Sequence, residues 1–227
     1  MLDPVNVSEE CLGQILTSLS LIDATYELIN SSTIAEKMLA SYLRYPNTNF
    51  KIAATRMLVK IGSKENLSFC LQALSTITSE NNMSEVYTSV FEICNDDSKL
   101  QADAFKMGLT KKIAETLENN TKPDAKLIRA LASLSSQYEP ARELIILKFK
   151  NVLMIKLTEQ ESSFELFHSL SRGSKVLKNI LLEESSVVLK LKQKMATSEV
   201  AMKVIANLSI DRKVFMDVLP SIKQLSI

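Results

Sequence analysis

Apolar side chains recur at steps of three and four residues along almost the whole chain, for example within 127–134 and 200–208. This spacing places them on one face of an amphipathic helix. Polar clusters interrupt the pattern and leave helices of about ten to fifteen residues joined by short loops. An all-α fold is therefore expected. The interrupting clusters are residues 45–48, 79–82, 95–97, 119–123 and 159–161.

A short phrase returns at the ends of the predicted helices. It reads LASLS at 131–135, FHSLS at 167–171 and IANLS at 205–209, with a further copy at 16–20 and weaker ones at 58–62 and 91–94. Aligned on the residues 19, 61, 93, 134, 170 and 208, the copies are 42, 32, 41, 36 and 38 residues apart. Such periods are typical of helical arrays in which each unit buries its apolar face against the next. The sequence therefore predicts about five to six stacked units.

At these residues the chain resembles the armadillo repeat family. Units of that family have a short first helix, a bend marked by glycine, a second helix, and a longer third helix that ends in a similar phrase. Residues 104–117, with Gly108, resemble the first helix, bend and second helix, and 122–135 resemble the third. Pro123 and Pro140 stand where new helices would begin, a position that proline tolerates. The resemblance implies an all-α, right-handed armadillo/HEAT-like solenoid, an alpha-alpha superhelix.

The regularity of the predicted repeats varies along a single domain that is expected to span 1–227. The resemblance is best in 101–211, and 212–227 is expected to form capping helices at the C-terminal end. In 1–100 the copies are irregular, and HEAT-type pairs of helices remain an alternative to armadillo units there. Glycine is also missing from the expected bends of the later units, where 149–151 and 185–186 stand instead.

Composition supports a folded helical protein inside the cell. The 46% hydrophobic content excludes a disordered chain, and 4 Gly and 5 Pro suit long helices with few tight turns. The cysteines Cys11, Cys70 and Cys94 are widely spaced in apolar patterns, which predicts reduced core thiols. The start does not have the pattern of a signal peptide, and no stretch reaches the roughly 20 apolar residues of a membrane span. A cytoplasmic or nuclear location, or both, is expected.

Candidate chemistry is sparse. A catalytic site needs a nucleophile, a base and an orienting group, or a metal, and the chain has one histidine, His168, inside a repeated phrase. The phosphate-binding and nucleophile motifs that need several glycines are absent, and the GSK triplets at 62–64 and 173–175 suit corners between helices. We therefore expect no enzyme activity, no catalytic residues, no metal site and no cofactor.

The net charge of +1 conceals an asymmetry between the two halves. Residues 1–110 carry 8 Lys/Arg against 13 Asp/Glu, whereas 111–227 carry 19 against 13. A positive C-terminal half keeps nucleic-acid binding as an alternative function. It is less favoured, because lysines at 190, 192 and 194 point in different directions around a helix and aromatic residues for stacking are few.

The resemblance implies that the third helices line a concave groove and that polar residues pointing out of them contact a partner. Aligning the repeated phrase gives one pair of outward residues in each of six copies, and the pairs of four copies are predicted to bind the partner. The resemblance therefore implies a non-catalytic protein-interaction scaffold or adaptor that binds an extended peptide or a helix of a partner protein. Acidic peptides are among the expected partners. A chaperone-type clasp on a folded partner domain remains a second alternative. The predicted groove residues are Arg56, Lys60, Arg129, Ser133, Glu165, Ser169, Lys203 and Asn207.

Overall fold

The structure is a computed structural model that describes residues 33–62, 64–119, 124–156, 161–173, 185–194 and 197–209, together with a few isolated positions between 11 and 19 and at 178–179. Regular structure in these residues is helical throughout. The chain divides into two compact units, Met1–Ile93 and Cys94–Ile227. The expectation of one domain over 1–227 stays a prediction. The predicted capping helices of 212–227 and most of the copy at 16–20 lie outside the described residues.

In the first unit, α1 (Thr33–Tyr42) and α3 (Leu67–Ser75) both pack against α2 (Thr48–Lys60). Helix α4 (Met83–Cys94) follows, and short 3-10 turns precede α3 and α4. Only one helix, α3, separates the repeat-ending helices α2 and α4, which is the pattern of a helix pair. The core of this unit includes Phe50, Met57, Leu58, Leu71, Leu74 and Ile77.

Breaks between helices occur at the polar clusters because asparagine and aspartate side chains cap the helices that follow. The Asn47 carboxamide oxygen accepts hydrogen bonds from the backbone N–H groups of Asn49 and Phe50, at 2.9 and 3.4 Å. Asp97 accepts in the same way from Lys99 and Leu100, both at 3.0 Å. These bonds satisfy donors that a helix start would otherwise leave without partners. The predicted breaks at 45–48 and 95–97 are confirmed.

The second unit contains α5 (Ser98–Lys106), α6 (Leu109–Asn119), α7 (Ala125–Ser135), α8 (Glu139–Lys156), α9 (Glu161–Ser171), α10 (Ser185–Lys194) and α11 (Glu199–Leu208). Helix α9 packs against α7 on one side and against α11 on the other, so the three third helices form one layer. Helices α6, α8 and α10 pack behind α7, α9 and α11 respectively. The core between the layers includes Ile113, Leu117, Leu127, Leu131, Ile145, Phe167, Leu170 and Val204.

Gly108 forms the bend predicted between the first and second helices of a unit. Its φ is +74°, in the left-handed region that glycine enters without a steric penalty, and it separates α5 from α6. In the next unit, residues 149–151 occupy the equivalent position and lie inside α8, which runs on for 18 residues. Pro140 is the second residue of α8, where a missing N–H costs little. Pro123 lies outside the described residues.

Candidate partner-binding surface

The third helices of the second unit carry a row of charged side chains. Arg129 on α7 is exposed, Glu165 on α9 is half-buried, and Lys203 on α11 is exposed. The Arg129 Nε atom lies 3.3 Å from Glu165 Oε2, which links neighbouring helices. The Lys203 ammonium lies 2.7 Å from Glu199 Oε1 on its own helix. We call Arg129, Glu165, Glu199 and Lys203 the third-helix row.

Two predicted groove residues, Ser133 and Ser169, do not face solvent. Each has only 3% of its surface exposed. The Ser169 hydroxyl lies 2.8 Å from the Ser135 hydroxyl and so bridges α9 and α7. The expectation that these two serines point outward is wrong. The Ser169 side chain lies in the contact between adjacent third helices, where α9 packs against α7.

Asn207 also bonds to a neighbouring unit. It is half-buried on α11, and its Nδ2 atom donates to the Ser171 hydroxyl at 3.1 Å. The repeated phrases at 167–171 and 205–209 thus supply a hydrogen bond from one third helix to the next. This contact gives Asn207 a structural role in addition to its predicted role in binding.

The remaining predicted residues lie in the first unit, on α2. Arg56 is half-buried and forms an ion pair with Glu85 on α4. Lys60, one turn further along, is the last residue of α2 and is exposed. Both are therefore on a repeat-ending helix, as the aligned phrase predicted, and their binding role stays a prediction.

His168 lies beside the third-helix row. Burial lowers the pKa of its imidazole, and the charges of Arg172 and Lys203 shift the pKa in the same direction. A lowered pKa keeps this half-buried ring neutral at pH 7, so it can offer both a donor and an acceptor. The sequence placed His168 in a repeated phrase but did not assign it to this surface.

The comparisons with known proteins give a fold but no family. No protein-family model matches the chain, and no curated protein matches it. Among solved structures, an engineered protein superposes with a TM-score of 0.70 at 15% identity, over 90% of this chain and 92% of its own. A designed armadillo repeat protein superposes with a TM-score of 0.68 at 14% identity, over 92% and 95%. This protein has an armadillo-like repeat fold.

A third similar structure is a designed armadillo repeat protein in complex with the peptide (KR)4, with a TM-score of 0.56 and 17% identity over 96% of this chain and 91% of its own. At such identities the likeness extends to the fold alone. The armadillo-like arrangement agrees with the three-helix unit α5–α7 and with the stacked third helices.

Two buried polar residues of the second compact unit were not identified from the sequence. Gln101 on α5 donates from Nε2 to the Cys94 carbonyl at 2.9 Å and to the Ser136 hydroxyl at 2.7 Å, and it accepts from the Gln137 N–H at 2.9 Å. Arg142 on α8 is also buried. For Arg142, the only signal in the sequence was Glu139 three residues earlier at a helix start, a spacing at which the two side chains can form an ion pair.

The structure also bears on other chemistry. Within the described ranges, His, Cys, Asp and Glu side chains nowhere gather in a group of three that could hold a metal ion. None of the helices described above is long and apolar enough to cross a membrane. On α10, Lys190 and Lys192 are half-buried whereas Lys194 is exposed. That these lysines do not share one face stays a prediction.

Proposed function

We propose that this protein is a non-catalytic interaction scaffold that binds an extended peptide or a helix of a partner protein along its third-helix row. The observation that carries the proposal is the ion pair between Arg129 and Glu165, which runs along the exposed surface of two stacked third helices. Its side chains are 52% and 33% exposed. A designed protein of the same fold that forms a complex with a peptide supports this choice.

The exposure of the row makes its charges available to a partner. An exposed ion pair contributes only about 0–1 kcal/mol to stability, so a partner's charge can replace one member at little cost. The row also carries both signs, with Arg129 and Lys203 as donors and Glu165 and Glu199 as acceptors. An acidic partner would bind the two cations, and Arg129 can hold a carboxylate through two parallel N–H groups.

We further propose an intracellular location, in the cytoplasm, the nucleus or both. The buried thiols of Cys70 and Cys94 support it, because unpaired buried cysteines are typical of proteins folded under reducing conditions.

The test begins with selection of peptides from a random library displayed on phage, followed by affinity measurements on the purified chain. Arg129→Glu removes the donors and places a second carboxylate beside Glu165. We expect it to reduce the binding free energy of the selected acidic peptides by about 2 kcal/mol or more. The control is Lys111→Glu on α6, which makes the same charge change at a residue whose side chain is 55% exposed.

Four results would contradict the proposal or a part of it. Failure to select any peptide would exclude binding of an extended peptide. If Arg129→Glu and Lys111→Glu bound the selected peptides with equal affinity, the binding site would lie elsewhere. Selection of basic peptides that Arg129→Glu binds more tightly would keep the surface but reverse the proposed charge of the partner. Tight binding to RNA or DNA that persists at physiological salt would favour the nucleic-acid alternative.

A further inference from the structure

The first unit contains a pocket that is separate from every predicted groove residue. Its volume is about 430 Å³, and residues of α1, α2 and α3 line it. One part of the wall is apolar and includes Leu43, Phe69 and Ala73, whereas the other part is formed by polar and positively charged side chains. Among the residues that the structure describes, no aspartate or glutamate lines it. The described wall of the pocket therefore combines an apolar surface with two positive charges.

The positive charge comes from two residues, one just after α1 and one on α2. Arg44 follows α1 and is exposed, and the described part of the chain offers its guanidinium no ion-pair partner. Lys51, in the first turn of α2, donates from Nζ to the Thr76 hydroxyl at 2.7 Å. That hydroxyl is neutral and occupies only one of the three donors of the ammonium. Both cations can therefore turn a donor toward an anion in the pocket.

The apolar wall includes a phenylalanine that the core does not use. Phe69 on α3 is 55% exposed, although the next two residues, Cys70 and Leu71, are completely buried. An aromatic ring left at the wall of a pocket can pack against the apolar part of a ligand. The carboxamide of Gln72 lies one turn further along α3 and adds further hydrogen-bonding groups.

We propose that this pocket binds an aryl phosphate, with the phosphate between Arg44 and Lys51 and the ring against Phe69. Two cations and an amide donor suit a dianion with three acceptor oxygens better than they suit a carboxylate. The pocket also has the size of known small-ligand sites, which begin at about 300 Å³. An aryl phosphate exists both as a free small molecule and as the side chain of phosphotyrosine.

The test is a titration of the full chain with phenyl phosphate, followed by two-dimensional NMR of the backbone amides and by calorimetry. We expect saturable shifts at the amides of Phe69 and Gln72. Arg44→Gln should weaken binding by about tenfold or more, and Phe69→Ala by about threefold or more. Lys111→Gln, a charge-neutralising change on α6, should leave the affinity unchanged. Thermal melting of each variant verifies that its fold is intact.

Inorganic phosphate and benzoate identify which part of the ligand is recognised, and both should bind at least about tenfold more weakly than phenyl phosphate. Equal binding of either one overturns the aryl phosphate assignment. Absence of saturable shifts, or an Arg44→Gln variant that binds like the wild type, overturns the site itself. A blocked peptide containing phosphotyrosine separates the two sources, because tighter binding than phenyl phosphate identifies a peptide ligand and weaker or equal binding a small molecule.

Discussion

The side chains at the ends of the third helices show how far single residues can be predicted. The repeated phrase placed Arg129, Glu165 and Lys203 off the apolar face, and all three reach solvent. The same alignment placed Ser133 and Ser169 there, but both are buried. Helical periodicity gives the direction of a side chain around its own helix, whereas burial also depends on how closely the next helix packs. Small residues allow that close packing, and the pattern within one helix does not report it.

Arg142 provides a prediction at this scale. It donates from Nε to the Ser135 carbonyl at 2.7 Å, from Nη1 to Glu139 Oε2 at 2.8 Å, and from Nη2 to the Ser136 carbonyl. The two carbonyls lie at the C-terminal end of α7, where helical partners are absent. Arg142→Met leaves these groups without their donor and should lower the free energy of unfolding by about 2–4 kcal/mol.

Urea denaturation measures the effect. Lys148→Met is the matched control, because Lys148 is exposed on the same helix, and it should change the free energy of unfolding by less than about 0.5 kcal/mol. If Arg142→Met lowered the free energy of unfolding no more than this control, the guanidinium would not be stabilising the C-terminal end of α7.

At the scale of helices, most boundaries were predictable because they depend on local chemistry. Asn47, Asp97 and Asp124 accept hydrogen bonds from backbone N–H groups at the starts of the next helices, and Gly108 provides a left-handed residue at a bend. The sequence also indicated where a bend lacked glycine, at 149–151. It did not show that the helix would continue through that point, because continuation depends on packing against α6 and α9.

Gly108→Ala tests the bend. A Cβ at this position would have no atom within 4 Å, so the cost comes from the backbone conformation alone. We expect the free energy of unfolding to fall by about 1–2 kcal/mol. Gly108→Asn should cost less, because asparagine enters the left-handed region more readily. Equal losses for the two variants in urea denaturation would contradict the left-handed backbone conformation as the cause.

At the scale of the whole molecule, the repeat period predicted the fold class, because stacking is what such periods require. The sequence indicated a change in repeat regularity near residue 100. It did not indicate a division into two compact units at residues 93 and 94, because the amphipathic pattern continues across these two residues. The pocket in the first unit was also beyond reach from sequence. Its residues, among them Ala40, Lys51 and Phe69, come from three different helices and share no motif.

Buried thiols can report whether the two units unfold together. Burial raises the pKa of the Cys70 thiol to about 12. Burial also raises the pKa of Cys94, and the charges of Asp97 and Asp103 raise it further. At pH 7.5 both therefore remain protonated and inaccessible in the folded chain. A thiol reagent should modify exposed Cys11 promptly and the other two only on unfolding.

Two variants compare the units: one keeps Cys70 as its single buried cysteine and the other keeps Cys94. The modification of each cysteine is measured as a function of urea concentration. A single domain over 1–227 predicts the same midpoint for both. Midpoints that differ by more than about 0.5 M, after correction for each variant's global stability, would show separate unfolding.

The hydrogen bonds between third helices also affect how a gene of this kind can change in length. Ser135 bonds to Ser169, 34 residues later, and Ser171 bonds to Asn207, 36 residues later. An added codon within α9 rotates the residues beyond it by about 100° and misaligns these partners. An added codon in the connection between α8 and α9 leaves the same partners facing each other. Insertions and deletions among descendants of this sequence should therefore accumulate in the connections, while the third helices keep their length.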